Sequence, residues 1–141
     1  MRPVLLDTGV IVALLDRAER AHVRCTELIG SLAAQLFTCE AVIAESCYLL
    51  RDLRGAAEAV LENVASGIFQ IAFRLPASAT AVRQLMRKYR DQEMDLADAC
   101  LVHLASELRT GEILTLDSDF DVYRWGANQP FRRLIRSDRT S

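Results

Sequence analysis

Two acids in this chain stand immediately after short apolar runs: Asp7 after PVLL and Asp117 after EILTL. In an open α/β sheet, ligands bind beyond the carboxyl ends of the strands, so acids in such places face that rim. Two more acids, Glu45 in TCEAVIAESCYLL and Asp98 in MDLADACLV, fall near the starts of helical segments whose first turns face the same side. Each has an ordinary local explanation. Asp7 suits a helix N-cap, and Asp95 suits one with Asp98 three residues on. Asp117 and Asp119 suit turns closed through their own backbone amides, and Glu45 a solvated helical position. Considered together they point further. Asp98 is one step off the stripe Ala97, Leu101, Leu104 and Leu108, and Glu45 borders Ile43, Cys47 and Leu50. Carboxylates gathered at the border of a core raise one another's pKa unless a cation is present. A hard divalent ion with oxygen ligands relieves that repulsion, and it can activate water against a phosphodiester.

The elements that must position these acids follow from periodicity. Residues 3–6 read as a buried strand, and residues 10–15 as a helix capped by Asp7 or Thr8, with Asp16 at its end. A helix over about 20–35 is expected to bury Val23, Leu28, Ile29, Leu32 and Leu36 on one face. A strand over 36–39, a helix over 40–54 and a helix over 56–66 follow, with Gly55 and Gly67 as stops. Residues 68–73 read as a strand, and Pro76 opens a helix to about Arg90. The segment from Met94 to Gly111 is the clearest helix, with Gly111 as its stop. Residues 112–116 form a strand, a helical turn runs on to Tyr123, and residues 131–135 form a last strand. Alternating short apolar strands and helices predict a single α/β domain with a mainly parallel sheet between helix layers. It spans residues 1–136, and residues 137–141 read as a disordered tail.

Composition narrows the function. Half the chain is hydrophobic (51%), enough for a core, yet no apolar run approaches the ~18 residues of a membrane span. The opening MRPVLLDTGV is interrupted by Asp7 and is no signal peptide, which places the protein in the cytoplasm. Cys25, Cys39, Cys47 and Cys100 form no zinc spacing with His22 or His103 and read as buried thiols. His103 reads as a packing or surface residue, and Tyr123 and Trp125 as packing at the edge of the core. No Gly-rich phosphate loop is present. A phosphoaspartate phosphatase would want a second Asp two residues after the first, where Gly9 stands. Net charge is −2, but the basic residues are sixteen arginines and a lone lysine, Lys88. Five arginines fall between Arg124 and Arg139, and Arg83, Arg87 and Arg90 lie at helical spacing. The planar guanidinium suits phosphate, although solvated faces give the same pattern.

The segments LLDTGVIVALLDRAERAH, VIAESCYLL, MDLADACLVHLA and ILTLDSDFDVYR occur in that order across nearly the whole chain. In this the chain resembles the PIN-domain family and, within it, the VapC-type toxin ribonucleases of toxin–antitoxin pairs. The resemblance implies a three-layer α/β/α sandwich, a Mg²⁺ or Mn²⁺ site and hydrolysis of RNA. It also implies a small antitoxin partner and a homodimer. Carried over by position, the family acids fall on Asp7, Glu45, Asp98 and Asp117 as the catalytic and metal-binding set. Asp119 could share the fourth role, and Asp95 could support Asp98 from one turn away. Thr8 matches a small hydroxyl near the metal, and Thr115 could orient Asp117. A non-catalytic scaffold of the same fold is the competing reading, and retention of all four acids argues against it.

Overall fold

A computed structural model describes residues 1–136. The tail expected at 137–141 lies outside the described residues. Five strands form one parallel sheet: β1 (Arg2–Leu6), β2 (Ala34–Thr38), β3 (Phe69–Ile71), β4 (Glu112–Leu114) and the edge strand Arg132–Arg133. A separate antiparallel ribbon joins β5 (Arg124–Trp125) to β6 (Gln129–Pro130), so the edge strand is β7. The helices are α1 (Thr8–Leu15), α2 (His22–Ser31), α3 (Glu40–Leu49), α4 (Ala56–Ala65), α5 (Leu75–Lys88) and α6 (Leu96–Leu108).

The strand order is β3-β2-β1-β4-β7. From β1 the chain steps outward to β2 and β3, then returns past β1 to β4. Parallel crossovers are right-handed, so reversing the direction of travel puts the later helices on the opposite face. Accordingly α1 packs with α2, α3 and α4, while α5 packs with α6. The resulting three-layer sandwich is the architecture expected. The reversal also creates a switch point between the carboxyl ends of β1 and β4, where an α/β sheet opens a crevice.

The central strands are buried on both faces, and Val4, Leu5, Leu6, Ile113 and Leu114 are sealed from solvent. Around them Val10, Ile11, Val42, Val60, Leu101 and Leu104 close the core. Their loss from water drives the collapse, at about 25 cal/mol per Å² of apolar surface.

Several expected boundaries move. The second helix is shorter than 20–35. Val23 is 61% exposed and Cys25 takes the inward place, while Leu36 belongs to β2. The inner face of α2 is set by Ala21, Cys25 and Leu28, a register that carries Val23 outward. The helix expected to reach Arg54 stops at Leu49, and a run of turns leads to Gly55, whose φ of +80° opens α4. The last long helix ends on Arg109, a non-glycine residue at φ +54°, rather than on Gly111. Gly111 serves another purpose: a Cβ there would run into the Trp125 indole and the Pro130 carbonyl oxygen. The strand expected over 131–135 is only Arg132–Arg133, and the β5–β6 ribbon before it is too short to show a period in sequence.

Candidate functional site

Asp7 sits where β1 ends and α1 begins, at the switch point. Its backbone amide donates to the Leu114 carbonyl across the β1–β4 junction at 3.0 Å. As N-cap of α1 its Oδ1 accepts from the Thr8 amide at 2.8 Å. Its Oδ2 accepts from the Thr115 hydroxyl at 2.7 Å. Thr115, wholly buried, also accepts the Asp117 amide at 3.0 Å, so one hydroxyl holds the acids of both central strands. Asp117 then caps the turn after β4, its Oδ1 accepting from the Asp119 amide at 2.9 Å. The turn reading of Asp117 is therefore correct and does not exclude it from the site.

Asp98 comes from the opposite layer, in the first turn of α6, where the helix dipole favours negative charge. Asp95 is the N-cap of that helix, its Oδ1 accepting the Asp98 amide at 2.9 Å. The Tyr123 hydroxyl donates to Asp98 Oδ2 at 3.0 Å. One carboxylate oxygen from each of Asp7, Asp98 and Asp117 lies within 4.8 Å of the others. Glu45, on α3, stands outside this trio; its Oε1 accepts from the Thr8 hydroxyl at 2.8 Å. Asp7, Glu45, Asp95, Asp98 and Asp117 all line one cavity of about 360 Å³. Asp119 neither joins the trio nor lines that cavity.

The electrostatics fit a cation. Burial pushes the Asp7 carboxyl up to about 6, with Asp117 and Glu45 adding to the shift and the Thr115 and Thr8 bonds opposing it. Burial likewise pushes Asp98 up to about 8, reinforced by Asp95, Asp7 and Asp117, while the Tyr123 bond opposes. Three crowded oxygen donors, two of them on carboxyls that burial holds back from ionising, are the donor set a hard divalent cation takes.

Tyr123, which the sequence offers for packing at the edge of the core or for stacking on a base, is packed: fully buried, with edge-to-face contacts to Tyr89 and Phe120. Its hydroxyl reaches the site as well, and no periodicity in the sequence signals that. Trp125 lies over Gly111 and donates from Nε1 to the Pro130 carbonyl at 3.0 Å, away from the acids. His22 Nδ1 donates to the Ala13 carbonyl, and His103 meets Phe73 and Glu107. Both histidines stay outside the acid cavity.

The PIN domain family model matches residues 4–126. Ribonuclease VapC26 of Mycobacterium tuberculosis is 37% identical over 116 residues, which cover 81% of this chain and 86% of that protein. Among solved structures, the crystal structure of Mycobacterium tuberculosis VapC20, described as a sarcin-ricin loop cleaving toxin, superposes with a TM-score of 0.79. It covers 90% of this chain and 99% of its own at 18% identity, a likeness of fold.

Proposed function

Because this chain belongs to the PIN-domain family, we infer that it is an endoribonuclease hydrolysing RNA phosphodiester bonds with Mg²⁺ or Mn²⁺. The observation that carries this reading is the convergence of Asp7, Asp98 and Asp117, from three separate stretches of chain, to within 4.8 Å. The identity to ribonuclease VapC26 supports RNA as the substrate. Residues 1–136 would constitute the nuclease domain.

Asp7, Asp98 and Asp117 would hold the cation. When bound, it supplies neutralisation of phosphate charge and a water of lowered pKa. Thr115 fixes the Asp7 carboxylate relative to the Asp117 backbone, the Asp119 amide holds the Asp117 carboxylate, and Tyr123 fixes Asp98. Glu45, held by Thr8 at the same cavity, would orient the attacking water and take its proton. Water adds across a P–O bond, leaving a phosphate monoester on one fragment and a hydroxyl on the other. Asp119, outside the cavity, would act through the Asp117 turn rather than on the cation.

A VapC-type role as the toxin of a toxin–antitoxin pair extends from the same relative. That role would bring with it a small antitoxin protein, a homodimer and a cytoplasmic location. No helix among the described residues is long and apolar enough to cross a membrane.

The test is purified protein with mixed single-stranded RNA in Mg²⁺, in Mn²⁺ and in EDTA, with Asp7→Asn in parallel. Metal-dependent cleavage that vanishes in the variant supports the reading. Intact RNA together with no metal-induced rise in melting temperature overturns it.

A further inference from the structure

The arginines of this chain are not equally free. Among the described residues of the C-terminal stretch, Arg132 is committed to Glu112, and Arg133 and Arg136 to Asp121. Arg124 donates from Nη1 to the carbonyls of Asp121, Val122 and Tyr123. Arg2 pairs with Glu112, and Arg51 with the Tyr48 carbonyl and ring. Arg83, Arg87 and Arg90 are exposed and have neither ion pair nor hydrogen-bond acceptor among the described residues.

These three share one face at the carboxyl end of α5 and the turn beyond it. Residues four apart on a helix lie one above the other, roughly 6 Å along the axis at 1.5 Å per residue. They line a groove of about 510 Å³ floored by half-buried Met86 and buried Met94. Asp95 is a wall of this groove and of the acid cavity, so the two adjoin. Glu93 also lines the groove, and its charge is felt by Asp119, which puts it at the end toward the acids.

We propose that this α5 groove binds the RNA backbone beside the scissile bond, with Arg83, Arg87 and Arg90 on successive phosphates. The proposal rests on the ribonuclease reading above. Unpaired guanidinium groups on a helical row match a polyanion with a regular repeat, and each can take a phosphate through two hydrogen bonds. The thioethers of Met86 and Met94 give a soft apolar floor for ribose and base faces. Such contacts position a strand without reading its sequence. Arg124, Arg133 and Arg136 instead brace the far end of the turn that Asp117 opens, through Asp121 and its neighbours, while Arg132 only pairs with Glu112 on β4.

The experiment compares the wild-type protein with the triple variant Arg83→Gln, Arg87→Gln, Arg90→Gln, and with Arg132→Gln. Binding of a fluorescein-labelled, mixed-sequence single-stranded RNA is followed by anisotropy against salt, in an Asp7→Asn background so that the probe survives. Cleavage of the same RNA is followed without that change. Each lost phosphate contact lowers the log–log salt slope by about 0.7, so the triple variant should bind with a slope about 2 smaller. Its KM should rise about tenfold or more with kcat nearly constant, the signature of lost uniform binding. Arg132→Gln should leave slope and KM unchanged. Equal slopes and equal KM for wild type and triple variant overturn the groove. If the wild type cleaves no RNA, the ribonuclease reading fails, and the salt slope still decides whether the groove binds it.

Discussion

The hydroxyl of Tyr123 donates to Oδ2 of Asp98 at 3.0 Å, and it does so from a ring wholly buried between Tyr89 and Phe120. The ring is fixed by packing and the hydroxyl by the ring, so the fold dictates which carboxylate oxygen of Asp98 is already engaged. Tyr123→Phe keeps the ring and removes the tether. A hydrogen bond to a charged group is worth about 1.5–3 kcal/mol, so Mn²⁺ affinity by calorimetry should fall roughly tenfold or more, with cleavage falling in step. Unchanged metal affinity would show that Asp98 needs no tether.

Thr115 makes a sharper case because its buried hydroxyl serves two partners. Thr115→Val leaves Asp7 Oδ2 without its donor and the Asp117 amide without its acceptor. The expected loss is about 2–3 kcal/mol by urea unfolding, together with most of the metal-induced stabilisation. Thr115→Ser should restore both, and failure of that rescue would assign Thr115 to packing alone.

The pH dependence of metal-free stability has a definite sign. The folded pKa values of Asp7 and Asp98, about 6 and about 8, lie above the ordinary 3.8. Their contribution to stability is therefore complete below about pH 4 and is lost as pH rises through about 6 and then about 8. In EDTA the melting temperature should fall over that window, and Asp98→Asn should flatten its upper part. In saturating Mn²⁺ the fall should be offset, because cation binding displaces the protons. Superimposable wild-type and Asp98→Asn profiles in EDTA would refute the assignment.

Gly111 offers a control remote from the acids. Gly111→Ala places a methyl group against the Trp125 indole and the Pro130 carbonyl, spreading the β5–β6 ribbon from α6. Overpacking of this kind costs about 1–3 kcal/mol, readable as a lower urea midpoint. Metal affinity of the folded fraction should stay at the wild-type level.

The sandwich and the two central acids are legible in sequence because strand-terminal Asp7 and Asp117 interrupt strongly apolar runs and mark where β1 and β4 end. Asp98 is legible as a border residue of the most regular helix. Spacing alone does not rank the acids. The geometry that brings Asp98 to Asp7 and Asp117, and leaves Glu45 on Thr8 and Asp119 outside the cavity, depends on where two helix layers meet. Tyr123 is illegible for a different reason: a buried ring and a hydroxyl at the site are one residue type, and periodicity sees only the ring. Val23 misleads because α2 is short, with its inward face fixed by Cys25, so a stripe drawn over sixteen positions averages across its true boundaries.

Strand β1 lies between β2 and β4, and the Asp7 amide reaches the Leu114 carbonyl across that junction. During synthesis β1 therefore waits, one edge open, until more than a hundred further residues have emerged. Asp7 meets neither Thr115 nor Asp117 before then. Every nascent chain that ends before Asp117 therefore lacks the acid trio, and the site is assembled only by the last strands to join the sheet.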